Sequence, residues 1–180
     1  KKLLVPYDDE KTHTTTGFDL GHLQWLRPNL NKQTEGVLVS EEEYKREKVE
    51  YEGWHVRKIE LKGCPGQMQF TEVRKIICKG SNGVIFLIDG SDLSNIGNSL
   101  VILEETKASL GEDIPMRIIA NKSDRDDFND CEIISDMIGS TVFPGSGKCC
   151  IGVKDAIIDI LKMIKDNIKS ENLTEHKAVV

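Results

Sequence analysis

The chain has no apolar run near the ~18 residues needed to cross a bilayer, so no membrane-spanning helix is predicted. It has no cationic excess: 24 Lys and Arg stand against 30 Asp and Glu, a net charge of −6. That balance argues against a broad nucleic-acid-binding face and leaves room only for a local basic pocket for a small anion. The five cysteines, Cys64, Cys78, Cys131, Cys149 and Cys150, are odd in number and match no zinc spacing. Cys78 and Cys131 sit among apolar residues and are expected to be buried thiols, which suits a reducing cytoplasm. Residues Lys177 to Val180 hold no lipidation box, and no prenyl anchor is expected. A Gly-x-Gly-x-x-Gly turn is also missing, which sets aside a dinucleotide-binding dehydrogenase.

What is present suits one domain. At 180 residues the chain is long enough for a full core without staples, and its 38% apolar and 30% charged content is ordinary for a soluble protein. Gly17 to Trp25 reads as a loop entering a strand, with a bulge at Gly21. Residues 27–53 are polar and mixed and form the least core-like stretch. Within them Ser40-Glu41-Glu42-Glu43 is a capping box that starts a short charged helix through about Lys48. Val56 to Leu61 reads as a strand ending in the turn Gly63-Cys64-Pro65-Gly66, followed by an irregular segment and a short helix through Lys79.

The second half alternates strongly. Gly83 to Asp89 is a continuous apolar run of the kind that marks a parallel strand buried on both faces. A helix is predicted over 96–110, a strand over 116–120, a short helix over 130–138, a strand over 141–143 and an amphipathic helix over 153–168. On that last helix Ala156, Ile157, Ile160, Leu161, Ile164 and Ile168 share helical spacing. Alternation of this kind predicts a parallel sheet flanked by helices, with ligands bound beyond the carboxyl ends of its strands.

The residues at those ends carry the chemistry. Asn121-Lys122-Ser123-Asp124 follows the 116–120 strand. A carboxylate there can accept two hydrogen bonds from the ring N–H and exocyclic amine of guanine, a pair that adenine cannot supply. An Asn side chain can tie neighbouring loops, and a Lys stem can lie along the base face. The same tetrad also suits a polar turn capping the next helix.

This Asn-Lys-x-Asp tetrad resembles the base-recognition motif of Ras-like small GTPases, and the other motifs of that family follow in register. Cys64-Pro65-Gly66-Gln67 is similar to the Asp-x-x-Gly-Gln box, with the family's Asp replaced by Gly63, a form that resembles prokaryotic Ras-like GTPases of the gliding-motility type. The resemblance implies that Gly66 offers its N–H to the terminal phosphate and that Gln67 orients the attacking water. Thr15-Thr16-Gly17-Phe18-Asp19-Leu20 is similar to the switch I stretch of Rab proteins, which implies that Thr15 ligates Mg2+ and contacts the phosphate. Ser146-Gly147-Lys148 resembles the Ser-Ala-Lys loop, whose N–H groups touch guanine O6. Pro-Gly turns, polar loops and helix caps remain the plain readings of these stretches. The likeness covers about residues 12–170, with residues 27–53 an insertion between the second and third strands.

The resemblance implies one α/β domain over residues 1–180: three layers, a mostly parallel P-loop GTPase-like sheet and helices on both faces. It implies a cytoplasmic GTP/GDP switch with slow GTP hydrolysis, a Mg2+ cofactor, and protein regulators or effectors meeting residues 10–20 and 63–80. One element is lacking: no Gly-x-x-x-x-Gly-Lys-Ser/Thr occurs, and Pro144 to Lys148 has the wrong spacing for it. Pro6 to Thr12 ends in Lys-Thr but carries three carboxylates and no glycine. The first residue is Lys1 rather than Met, so the expected explanation is that the first strand, phosphate loop and first helix lie upstream. The other is a pseudo-GTPase that meets protein partners without nucleotide, with Leu3 to Val5 filling the first strand's place.

Overall fold

The computed structural model describes residues 19–28, 36–111 and 113–175, with side chains of the last helix described to residue 165. Thr15 and the proposed strand at Leu3 to Val5 lie outside these residues. The chain divides into two compact units, Lys1–Ile77 and Cys78–Val180, taken separately below.

The first unit is built on an antiparallel sheet. Strand β1 (Asp19–Arg27) pairs with β2 (Val37–Ser40) on one side and β3 (His55–Gly63) on the other, in the order β2-β1-β3. The long β1–β3 register runs from Asp19 opposite Gly63 to Arg27 opposite His55, without a bulge at Gly21. Ser40 caps helix α1 (Glu41–Arg46) as its capping box predicts: the Ser40 hydroxyl accepts from the Glu43 N–H at 3.0 Å. The helix ends two residues earlier than Lys48, and a 3₁₀ turn over Lys48–Tyr51 follows.

Residues 27–53 are not devoid of core. Leu38 and Val39 of β2 are each 2% exposed. Gly36 brings β2 in: a Cβ there would stand 2.4 Å from the Trp25 ring, so only glycine lets the indole lie over the backbone. A four-residue strand whose partner lies a dozen residues back leaves too short a period to be read from sequence.

After β3 comes a 3₁₀ turn at Met68–Phe70, then helix α2 (Thr71–Cys78). Arg74 of α2 is buried, and its guanidinium donates to the carbonyls of Pro65 at 3.3 Å and Gln67 at 2.6 Å and to the Thr71 hydroxyl at 2.9 Å. Those bonds compensate a charge that would otherwise be costly to bury, and they fix the loop 65–67 to the helix.

The second unit is α/β, with a parallel sheet. Strands β4 (Val84–Asp89), β5 (Met116–Asn121) and β6 (Val142–Pro144) lie in the order β4-β5-β6, all parallel. Helix α3 (Ile96–Leu110) connects β4 to β5, and α4 (Cys131–Ile138) connects β5 to β6. Ile118 and Ala120 of β5 join Ile88, Ile96, Leu103, Ile134, Ile138 and Val142 in one buried cluster. Ile119 turns the other way, as the two-residue period of a strand requires. Helix α5 (Val153–Glu175) packs against β4 and β5 with Ala156, Ile157 and Ile160 buried, and Leu161 and Ile164 are half-buried. The side chain of Ile168 lies outside the described residues.

The apolar run of β4 is less enclosed than its composition predicts. Ile88 is buried, but Leu87 is 59% exposed and β4 is an edge strand among the described residues. Cys78 and Cys131 are half-buried rather than buried, and burial pushes the Cys131 thiol above its usual range. No helix among the described residues is long and apolar enough to cross a membrane.

Leu103 is fully buried on α3 in this cluster. Leu103→Ala should destabilise the second unit by about 2–5 kcal/mol, the usual cost of such a cavity. Both tryptophans, Trp25 and Trp54, lie in the first unit, so amide exchange across β5 is the reporter to use. A loss below about 1 kcal/mol would contradict the packing described here.

Candidate functional site

The carboxyl ends of β4, β5 and β6 are bound together by backbone and side chains. Asp89 and Asn121 end adjacent parallel strands in register. Gly90 donates its N–H to the Asn121 carbonyl at 3.0 Å, Gly145 donates to the Ala120 carbonyl at 2.9 Å, and Ser123 donates to the Gly145 carbonyl at 3.0 Å. A Cβ at Gly90 would meet the Phe128 ring at 2.3 Å, and one at Gly145 would meet Ile119 Cγ2 at 2.5 Å. These glycines let the loops after β4 and β6 close down on the end of β5.

Three of the four tetrad side chains are oriented by partners far away in sequence. Asn121 Oδ1 accepts the Gly147 N–H at 2.8 Å, so this Asn ties the β5 loop to the β6 loop. Lys122 extends its ammonium to Asp89 Oδ2 at 2.6 Å. Its backbone sits at φ 72, a left-handed conformation that a Lys adopts only where the surroundings impose it. The Arg125 N–H donates to the Lys122 carbonyl at 3.0 Å and closes that turn. Asp124 Oδ1 accepts the hydroxyl proton of Ser146.

Ser146 is fully buried, and it makes the bond directional. Its N–H donates to the Ile151 carbonyl at 3.0 Å, and the Ile151 N–H returns the bond at 2.9 Å. Its hydroxyl oxygen also accepts the Cys149 N–H at 3.0 Å, which leaves the hydroxyl proton for Asp124. The Ser146 bond holds the Asp124 carboxyl below the usual carboxylate range, and Lys148 and Arg125 add to the effect. Asp124 is therefore an oriented anion at neutral pH. With Arg125, Asp126 and Asp127 it lines an open depression of about 450 Å³. Arg125 is held by Asp127 through two bonds of 2.7 Å.

The structure thus brings together Asn121, Lys122, Asp124, Ser146 and Gly147, with exposed Lys148 on the same loop. Two N–H groups expected to face guanine O6 are engaged inside the protein: that of Ser146 with Ile151, and that of Gly147 with Asn121. Sequence reasoning missed Asp89, Ser91 and Cys149. Asp89 stands 33 residues before Lys122, and the only sequence signal was its position as the polar end of a buried run. Burial pushes the Asp89 carboxyl up, but hydrogen bonds from Lys122 and from the Ser91 N–H and hydroxyl outweigh it and leave it below its usual range.

The other expected residues belong to the first unit. Gly66 is exposed, with no atom within 4 Å of where a Cβ would stand. Gln67 is exposed; its side-chain oxygen accepts from Gln69 Nε2 at 3.0 Å and its carbonyl is held by Arg74. Gly63 lies across the strand pair from Asp19; a Cβ at 63 would be 3.6 Å from an Asp19 carboxylate oxygen. Thr15 lies outside the described residues. Among those described, no three His, Cys, Asp or Glu side chains gather to hold a metal ion.

The depressed Asp89 carboxyl has a pH consequence. Its contribution is present above the unfolded value of about 3.9 and is lost as pH falls through the lower folded value. Both partners of the Asp89–Lys122 pair are at least one-third exposed, so the contribution at neutral pH is expected to be under ~1 kcal/mol. Asp89→Asn should lower the urea midpoint of the second unit at pH 7, and the difference from the parent should shrink as pH falls below the unfolded value of about 3.9. A difference that stays constant as pH falls would contradict the pairing. No protein-family model matches the chain, and no curated protein matches it either.

Proposed function

We propose that this chain is the base-recognition half of a Ras-like guanine-nucleotide-binding domain, a GTP/GDP switch of the small GTPase type. The observation that carries the reading is Asp124: a carboxylate just past a parallel strand, aimed by a buried serine hydroxyl from the next loop. A carboxylate so held accepts the N1–H and N2–H of guanine in a bidentate pair and repels the N1 acceptor of adenine. Discrimination of this kind is strong, because the wrong base leaves a charged acceptor unpaired.

The remaining tetrad residues have supporting parts. Lys122, fixed through Asp89, lays its methylene stem along the purine face. Asn121 holds the Gly147 loop, and guanine O6 shares the Gly147 N–H with Asn121 in a three-centre bond. Strain at Lys122 fits a site whose geometry is imposed rather than relaxed.

Hydrolysis, in this reading, is an in-line attack of water on the terminal phosphate. Gln67 orients the water, Gly66 offers its N–H to the phosphate, and Arg74 keeps the 65–67 loop in place. Thr15 would hold a Mg2+ ion, which would supply charge neutralisation at the phosphates. The phosphate loop must come from a segment other than these 180 residues. The second reading is a nucleotide-free module of the same fold that docks protein regulators or effectors.

The test is a change of base preference. In the full-length protein, Asp124→Asn should weaken GDP binding more than about tenfold, the scale of losing a charge-assisted pair, and improve binding of xanthosine diphosphate. Unchanged GDP affinity would remove the base assignment. A parent protein whose melting temperature does not move with GDP or GTP, where ligand at a hundred times Kd would add ~2.7 kcal/mol, would favour the nucleotide-free module.

A further inference from the structure

We propose that Cys149 and Cys150 are a redox-sensitive dithiol whose closure into a disulfide loosens the Ser146 turn and releases Asp124. The proposal takes its functional readout from the guanine reading, but its structural part stands apart from it. The turn is closed by the reciprocal Ser146–Ile151 bonds, and both thiols lie in the four residues between. Cys149 is exposed to a small reagent, and the half-buried Cys150, whose thiol donates to the Gly147 carbonyl at 4.0 Å, stands next to it as the second thiol. The Cys150 backbone already sits at φ 58, the left-handed region that an L side chain rarely takes.

Geometry makes the closed form strained and therefore reversible. Adjacent Cα atoms lie about 3.8 Å apart across a trans peptide, short of the roughly 4.4 Å lower limit of ordinary disulfides. Closing the ring must distort the 149–150 peptide, and strained, exposed disulfides are the easily reduced ones. The distortion falls on a coupled residue. Cys149 donates its N–H to Ser146 Oγ at 3.0 Å, and that hydroxyl donates to Asp124. Changing the dihedrals at Cys149 and Cys150 swings that N–H off the hydroxyl and pulls on Ile151, the next residue. Ser146 then loses the contact that aims its proton at Asp124.

The oxidant is a small-molecule disulfide of the glutathione class. The Cys149 thiolate attacks one sulfur of the reagent and one thiol leaves, forming a mixed disulfide. The Cys150 thiolate attacks the Cys149 sulfur and the second thiol leaves. Two protein thiols are oxidised by two electrons, the reagent disulfide is reduced to two thiols, and both protons end on those thiols.

The experiment treats the full-length protein with oxidised glutathione and reads three things. Mass spectrometry of the peptide spanning 149–150 should show loss of two hydrogens without an adduct, and Cys150→Ser should abolish that loss. Amide exchange at Cys149 and Ile151 should accelerate on closure and recover with dithiothreitol. GDP affinity should fall about tenfold and recover likewise, the scale of one charge-assisted hydrogen bond. A stable glutathione adduct at Cys149, a disulfide between molecules, or closure with unchanged exchange would overturn the proposal. So would closure that speeds exchange but leaves GDP affinity intact. If the reduced protein binds no GDP, the guanine reading fails by itself, and the exchange result alone decides whether closure loosens the turn.

Discussion

One buried hydroxyl organises the candidate site. Ser146 is sealed under its own turn, accepts from Cys149 and donates to Asp124, so it converts an exposed carboxylate at the end of β5 into an oriented one. An exposed Asp with no such partner would sample several rotamers and lose that entropy on binding. The burial of Ser146 matters as much as the bond: a hydroxyl away from water is costly to leave unpaired. The parallel sheet makes the contact possible. Adjacent strands end in register, so the loops after β5 and β6 emerge side by side.

The second half of the fold was legible in the sequence because its signals are local. The 84–89 and 116–121 strands are apolar runs bounded by turn residues, and the last helix was read over 153–168 from its amphipathic spacing, although it runs on to Glu175. Ser40 announced its helix through a capping-box pattern, and its hydroxyl accepts the Glu43 N–H in the structure. What stayed hidden depends on distant pairing. Strand β2 is held by its register with β1 and by Gly36 against Trp25, neither of which leaves a periodic trace. Arg74 reads as one more surface charge on a helix until the carbonyls of 65–67 are seen to surround it. Leu87 is exposed although its apolar run predicts burial, because the face it projects from is uncovered among the described residues, which composition does not encode.

The candidate site divides the same way. Asn121, Lys122, Asp124 and Ser146 were found as a motif and come together in space. Asp89 could not be assigned from its own neighbourhood, because its role is to hold Lys122 from another strand. Cys149 was counted as a thiol, whereas its backbone N–H is what touches the site. Residues that recognise a ligand leave type and spacing in a sequence; residues that hold them in place leave only geometry.

The carboxylate of Asp124 is either a guanine reader or a solvated turn residue, and calorimetric titration of the full-length protein with GDP and ADP separates the two. The account predicts saturable GDP binding with ADP weaker by about a hundredfold or more, since adenine would leave the oriented carboxylate without donors. Equal affinity for the two nucleotides, or binding of neither, would contradict it.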